Sequence, residues 1–390
     1  MSNWETLPLG DVLTFQRGFD ITKAEQRDGP YWVISSSGPK SKNENFKVAG
    51  PGVVIGRKGS LGTVFFSQEN YWPHDTTLWV KDFHGNDPKF AYYCLQTMGL
   101  ERLDAGSSNP SLNRNHIHTI PVLWPILIIQ RRIAGILSAY DDLIENSQRR
   151  IKILEEMARR VYREWFVHFR FPGHEDCTFV ESPLGVIPEG WEVKNLANVA
   201  EVNRAQINAR TAPEELHYID ISSVSPGHID SMTTYAFADA PGRARRIVQH
   251  GDVVWSCVRP NRRSYAQVMY PEANTIASTG FAVLSATKVP FTFLYFATTT
   301  DDFVAFLTNN ATGAAYPAVT AATFEKAELL IPSAVLLKNF GDETIPITEQ
   351  IHTLQRQIKN LRHTRDLLLP RLLSGQIDVE ALPEPGLTEP

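Results

Sequence analysis

The densest chemistry in this sequence is a run of guanidinium groups. Between 243 and 263 stand Arg243, Arg245, Arg246, Arg259, Arg262 and Arg263, against a single acid, Asp252. Asn261 and neighbouring Gly, Pro and Ser residues make these segments read as loops that offer planar forks of donors. Such forks suit phosphate oxygens and guanine edges. A solvated loop pairing with its own domain's carboxylates would use the same residues. A fainter counterpart, Gly56-Arg57-Lys58-Gly59-Ser60-Leu61-Gly62, follows the strand-like Val53-Val54-Ile55. Its glycines permit close backbone approach, and Arg57, Lys58 and Ser60 can donate to phosphates or bases. The spacing is that of neither a P-loop nor a dinucleotide fingerprint. Two polar turns lie further on, 107–114 and 313–317. Asn113, in the first, can pair with adenine or simply build a turn.

No catalytic constellation accompanies these residues. The sequence has no GxSxG elbow, no HExxH and no Asn-Pro-Pro-Tyr/Phe element. His116-Ile117-His118 alternates as on a strand, with no nearby Cys or acid to complete a metal set. Glu192-Val193-Lys194 has a nuclease-like spacing but lacks a convincing Pro-Asp upstream. Cys94, Cys177 and Cys257 form neither a disulfide framework nor a zinc pair. The expectation is a chain with no catalytic residues, metal or cofactor of its own.

These residues sit on a plan used twice. Trp4, Glu5, Leu9 and Val12 recur at the same offsets as Trp191, Glu192, Leu196 and Val199. Gly52-Val53-Val54 recurs as Gly251-Asp252-Val253-Val254, and Ile120-Pro121 as Ile331-Pro332. In each copy short Val/Ile/Phe/Tyr/Trp runs alternate with Gly, Pro, Asn and Asp, which predicts strands and turns; helical patches fall near 88–103 and 290–307. Each lobe is therefore α+β and strand-rich. Each is followed by a change of period. Ile133, Leu137, Tyr140, Ile144, Ser147, Ile151, Leu154, Ala158, Val161 and Trp165 step by four and three, as do Ile347, Ile351, Leu354, Ile358, Leu361, Arg365, Leu368 and Leu372. Both are coiled-coil seams, the second interrupted by Arg365, with Pro370 expected to kink or end its helix and Gly375 to cap it. The boundaries read 1–125 for the first lobe, 126–170 for its helix, 171–333 for the second lobe and 334–376 for its helix. A disordered tail is expected over 377–390.

Composition agrees with large cores: 390 residues, 43% hydrophobic and 21% charged, net charge −5. The longest apolar run, 120–129, is about half the ~20 residues of a membrane span, and no signal pattern opens the chain. A cytoplasmic protein is expected. The net charge averages unlike regions. The helices 126–170 and 346–376 are each +3, whereas 171–345 is −7 despite its arginine cluster.

The run Gln130-Arg-Arg-Ile-Ala-Gly-Ile-Leu-Ser-Ala-Tyr-Asp-Asp-Leu-Ile-Glu-Asn146, with Ile151–Arg160 and Trp165-Phe166, resembles the central conserved helix of type I restriction-modification specificity subunits. Pro346–Gln350 and Leu361–Gly375 resemble their distal helix. A Glu-Gln usual at the start of the first helix is here Ile129-Gln130. The resemblance implies two target-recognition domains separated by two long helices that form an antiparallel coiled coil with pseudo-twofold duplication. It implies sequence-specific recognition of double-stranded DNA in a host-defence system, each lobe reading half of a split, asymmetric site. A rod of about 38 residues spans roughly 55 Å at 1.5 Å per residue, more than one turn of DNA at about 34–36 Å. DNA methylation with S-adenosylmethionine, and ATP- and Mg2+-dependent cleavage, would belong to partners: two methyltransferase subunits and restriction/translocase subunits. On this reading Arg57, Lys58, Ser60, Asn113, Arg243, Arg245, Arg259, Asn261, Arg262 and Arg263 are the DNA-contact candidates. Arg149, Arg150, Arg159 and Arg160 would face partners or spacer phosphates. The alternatives are a non-catalytic coiled-coil scaffold with two protein-interaction modules, and a nuclease built on Glu192 and Lys194.

Overall fold

The computed structural model describes residues 3–103 and 111–382. The chain divides into two units, 1–147 with 357–390, and 148–356. Two long helices contribute to both.

In chain order the first unit contains β1 (Trp4–Pro8), α1 (Leu9–Val12), β2 (Thr14–Arg17), β3 (Tyr31–Ser35), β4 (Gly38–Asn43), β5 (Gly52–Gly56), β6 (Val64–Ser67), β7 (Tyr71–Pro73), β8 (Thr77–Asp82), α2 (Pro88–Thr97), α3 (Arg114–His118), β9 (Pro121–Pro125) and the start of α4 (Leu127–Tyr162). Its sheets run β2-β8-β5-β6 and β4-β3-β7, with β1 paired to β9. Asp87 caps α2 by accepting from the Phe90 N–H at 2.9 Å, with Pro88 at the first helical position. The core gathers Phe15, Ile55, Phe90 and Trp124 from the lobe, Ile133 and Leu137 from α4, and Leu372 from near the chain's end.

The second unit contains the end of α4, then β10 (Phe179–Ser182), β11 (Gly185–Pro188), β12 (Glu192–Asn195), β13 (Ala200–Val202), β14 (Glu215–Ile219), β15 (Val224–Ser225), β16 (His228–Ile229), β17 (Thr233–Ala236), β18 (Ala244–Ile247), β19 (Val253–Ser256), β20 (Tyr265–Gln267), β21 (Thr275–Ser278), β22 (Phe281–Ala286), α5 (Phe291–Ala297), α6 (Asp301–Asn309), α7 (Ala321–Glu325), β23 (Glu328–Ile331) and the start of α8 (Ala334–Leu373). Its sheets run β13-β22-β19-β20 and β17-β14-β21-β18, with β12 paired to β23. The core gathers Leu196, Trp255, Phe293 and Phe324 from the lobe, Ala158 and Phe166 from α4 and its extension, and Phe340 from α8.

The duplication is therefore one topology written twice. β2-β8-β5-β6 corresponds strand for strand to β13-β22-β19-β20. The parallel pair β3·β7 corresponds to β14·β21. The registers also correct one sequence landmark. Glu5 faces Trp124, and its counterpart Glu192 faces Ile331. Trp124-Pro125, not Ile120-Pro121, thus matches Ile331-Pro332. Each proline stands just before a long helix, α4 beginning at 127 and α8 at 334.

In the first unit the start of α4 packs with the last turns of α8; in the second, the end of α4 packs with the first turns of α8. The two helices therefore run antiparallel. Ile133, Leu137, Ile144, Ile151, Leu354 and Ile358 are buried, and Tyr140, Leu154, Val161, Ile351 and Leu361 half-buried. A widened turn over Arg163–Val167 extends α4.

Three local expectations change. His116 and His118 lie on the short helix α3, not on a strand. α8 continues through Pro370 to Leu373, because Pro370 is exposed and the carbonyl it orphans can be hydrated. Gly375 (φ +69°) follows, its N–H donating to the Leu372 carbonyl at 3.3 Å. Residues 377–382, expected in a disordered tail, fold back as a turn: Asp378 caps Val379–Ala381 and Val379 is buried in the first unit's core. The remainder of that tail, from 383, lies outside the described residues.

Candidate nucleic-acid interface

In the first lobe, the strand β5 delivers its polar loop to one end of the sheet. The Arg57 and Lys58 N–H groups donate to the Thr76 carbonyl at 2.8 and 3.1 Å. The Arg57 carbonyl accepts from Leu112, and Lys58 bridges Ser111. Thr63 Oγ1 donates to the Ser36 carbonyl at 2.6 Å. Turns distant in sequence thus meet around Arg57, Lys58 and Ser60, with Asn113 beside them. Ser60 and Asn113 are exposed, Arg57 and Lys58 half-exposed. Arg57 Nη1 reaches the Asp75 carbonyl at 3.4 Å. The Asn113 Oδ1 accepts from the Asn115 N–H at 3.0 Å and so caps α3. The 107–110 part of this turn lies outside the described residues.

The second lobe repeats the construction. The Cys257 carbonyl accepts from the Val319 N–H at 2.9 Å, as the Arg57 carbonyl does from Leu112 at 3.0 Å. Val258 bridges Ala318 as Lys58 bridges Ser111. The loop continues through Arg259, a turn over Pro260–Arg262, and Arg263. Arg259 (φ +51°) and Arg263 (φ +57°) are both left-handed. The first lobe's loop, one residue shorter (57–62 against 257–263), has Gly59 (φ +76°) and Gly62 (φ +71°) as its left-handed residues. Glycine adopts this conformation freely, whereas a residue with a Cβ loses about 1–2 kcal/mol. The left-handed positions of the second loop are therefore held by arginines, those of the first by glycines.

Their environments differ. Arg263 pairs with Asp301 at the start of α6. The Arg259 backbone N–H donates to the Pro317 carbonyl at 2.7 Å, and its Nη2 to the Ala315 carbonyl at 3.2 Å. Its guanidinium lies 4.5 Å from the centre of the Tyr316 ring, itself 68% exposed. Arg262 and Asn261 are exposed on the same turn. Among the described residues, neither Arg259 nor Arg262 has a carboxylate partner.

Arg243 approaches from the neighbouring sheet. Its carbonyl accepts from the Thr279 N–H at 2.7 Å, and the Gly280 carbonyl accepts from Cys257, which ties this strand to the loop. Asp220 lies near Arg243. Burial works to raise the Asp220 pKa, but Ser222, Tyr218 and the Arg243 charge outweigh it and hold the carboxyl below its usual range. Burial pushes the Cys257 thiol up to about 11, against the pull of Arg246. Arg246 Nε is buried without a hydrogen-bond partner. Arg245 is set apart: its Nη1 donates to the Ala244 carbonyl and its guanidinium covers the Phe237 ring at 5.4 Å. The loop after β19 thus carries Arg259, Asn261, Arg262 and Arg263 together; Arg243 is linked to it only through the backbone at Thr279 and Gly280, with its charge beside Asp220, and Arg245 is held elsewhere.

On α4, Arg149, Arg150, Arg159 and Arg160 are exposed. Arg150, Ile153, Met157 and Arg160 follow at steps of three, four and three, one exposed face with two apolar members. Arg159 is close enough to Tyr265 and Tyr295 for its charge to act on their phenols. Glu192 and Lys194 form an exposed ion pair with each other on β12. No group of three or more potential metal ligands occurs among the described residues, and no helix there is long and apolar enough to cross a membrane.

Comparison with known proteins places this geometry. Residues 1–156 match the family described as the type I restriction modification DNA specificity domain. The chain is similar to the type I restriction enzyme MjaIX specificity subunit of Methanocaldococcus jannaschii, 24% identical over 75% of this chain and 70% of the relative. It is also similar to the MjaVIII specificity subunit of that organism, 19% identical over 97% of this chain and 94% of the relative. The chain is thus similar to the specificity subunits of type I restriction enzymes, over its first 156 residues by family and over most of its length by relatives. The crystal structure of the type I restriction-modification system S subunit from M. genitalium shares the fold of this chain, with a TM-score of 0.68, 16% identity, and coverage of 95% of this chain and 96% of that one.

Reading the sequence did not single out Tyr316 as the ring beneath Arg259, nor the unpaired, buried Arg246 Nε. Tyr316 lies 57 positions beyond Arg259, and only the fold joins them. The one available signal was the polar turn 313–317 itself.

Proposed function

We propose that this subunit recognises double-stranded DNA by sequence, each lobe reading one half of a split, asymmetric site. The observation that carries the proposal is the matched pair of loops after β5 and β19. Matching backbone hydrogen bonds anchor both (Arg57 with Leu112 and Gly56 with Thr63; Cys257 with Val319 and Ser256 with Ser264), each displays basic or amide groups, and their side chains differ, as two halves of an asymmetric site require. Arg57, Lys58, Ser60 and Asn113 serve the first half. Arg243, Arg245, Arg259, Asn261, Arg262 and Arg263 serve the second, with Arg263 holding the loop through Asp301 and Arg245, packed on Phe237, touching phosphate. The antiparallel helices set the distance between half-sites. Their exposed faces, with Arg149, Arg150, Arg159 and Arg160 beside Ile153 and Met157, dock two methyltransferase subunits, and restriction/translocase subunits join through these. Adenine methylation with S-adenosylmethionine, and cleavage requiring ATP and Mg2+, reside on those partners, in the cytoplasm. This chain contributes no catalytic group, metal or cofactor.

Footprinting of the chain reconstituted with its methyltransferase partner tests the proposal. The expected result is two short protected segments separated by an unread spacer, with salt-sensitive affinity. Absence of salt-sensitive DNA protection would favour a protein-binding scaffold instead.

A further inference from the structure

We propose that Arg259, seated on the Tyr316 ring, is the residue with which the second lobe selects a guanine. The inference rests on the DNA-recognition reading above and assigns one base to one side chain. Three observations converge on it. Arg259 occupies a left-handed position two residues beyond Cys257, where the first lobe, two residues beyond the equivalently bonded Arg57, has the left-handed Gly59. A strained non-glycine residue retained at a left-handed position points to a side chain needed for itself. Second, the guanidinium is pre-oriented: the Tyr316 face lies 4.5 Å from it and the Ala315 carbonyl takes one donor. A guanidinium has five N–H donors, so a pair remains to face outward. Third, no carboxylate among the described residues competes for it, whereas neighbouring Arg263 is committed to Asp301.

A fixed pair of parallel donors matches the O6 and N7 acceptors that guanine presents in the major groove, and no other base offers two acceptors there. A phosphate also accepts such a fork, but it would not distinguish bases. The first lobe, with glycine at this place, has no such reader, so its half-site is chosen by other groups.

The test uses the full chain with its methyltransferase partner and labelled duplexes carrying the protected site, each single base-pair change within it, and 7-deazaguanine at each guanine. The wild-type complex should lose about ten- to a hundredfold in affinity when one G·C in the second half is changed. It should also lose affinity when that guanine lacks N7. Arg259→Gly, which copies the first lobe's residue and should fold without loss, should bind all bases alike at that position and keep its preferences elsewhere. Arg259→Lys, retaining charge without the fork, should likewise lose discrimination there. Tyr316→Leu should weaken it, because the guanidinium loses its platform. If Arg259→Gly weakens every duplex by the same factor, Arg259 is a phosphate contact and the guanine assignment falls while DNA recognition stands. An unchanged base profile would also overturn the assignment. If the wild-type complex shows no base preference at any position, the underlying reading itself fails.

Discussion

Arg365 on α8 donates from Nη1 to one oxygen of Asp141 on α4 at 2.5 Å, while the Tyr93 hydroxyl of α2 donates to the other oxygen at 2.5 Å. The residue that interrupts the apolar seam is thus the one that ties both helices to the first lobe. Arg365 also reaches Asp366 on its own helix. The group is half-buried, and its geometry can be satisfied only in one register of α8 against α4. A lone polar position in an otherwise apolar seam commonly serves to fix register.

Replacing Asp141 by Ala should therefore destabilise the first unit by about 1–3 kcal/mol, since it leaves the buried Tyr93 phenol unpaired and removes one of the two carboxylates that Arg365 holds. Arg365→Met should cost less, and the double variant should recover part of the loss. Thermal melts of the three variants would show this as a non-additive cycle.

Gln130 gives a second expectation. Its side chain is buried, donates to Asn86 Oδ1 at 2.7 Å and the Pro125 carbonyl at 2.8 Å, and accepts from the Asp87 N–H at 2.9 Å. One amide thereby joins the start of α4 to the cap of α2. Gln130→Leu should cost about 2–3 kcal/mol by leaving buried polar groups unpaired. Denaturant unfolding should show the drop, whereas Gln350→Leu, exposed on α8, should change stability little.

His118 supplies a pH dependence. Its Nε2 accepts the Phe15 N–H at 3.0 Å, a bond that requires the neutral ring. Burial, aided by the Arg114 charge, holds its pKa below the ordinary value near 6.5. The folded state thus favours the neutral form. Its contribution is complete above about 6.5 and is lost as pH falls through the lower folded-state pKa. Melting temperatures followed from neutral to acid pH should fall less steeply for His118→Gln than for the wild type.

The left-handed arginine has a consequence for stability as well as for binding. Arg259→Gly should raise stability or leave it unchanged, because the relief of about 1–2 kcal/mol of backbone strain opposes the loss of the Tyr316 contact. A clear fall in melting temperature would mean that the side chain is retained for folding.

Much of this was legible in the sequence. The four-and-three steps of Ile133 through Trp165 required one inward face, and the repeated Trp4 and Trp191 marked equivalent strands. What escaped depended on contacts between distant segments. Nothing local distinguishes Trp124-Pro125 from Ile120-Pro121 as the partner of Ile331-Pro332; strand register does. His116-Ile117-His118 has the alternation of a strand, but Asn113 caps it as a helix. Arg365 looked like a fault in the seam because Asp141 is 224 positions away. Val379 looked like part of a polar tail because its apolar site is assembled from the first lobe. The contrast between Gly59 and Arg259 carries no sequence signal at all, since residue type does not reveal that both are left-handed.

The central claim is that two lobes read two halves of one DNA site. It is tested most directly by sequencing N6-methyladenine in a genome lacking other adenine methyltransferases, with this chain and its methyltransferase partner expressed. The account predicts methylation confined to a motif of two short, different, defined segments separated by a spacer of constant length. It also predicts that substitutions at Arg259 or Arg262 relax only one segment. A continuous motif, or methylation whose pattern does not depend on this chain, would contradict it.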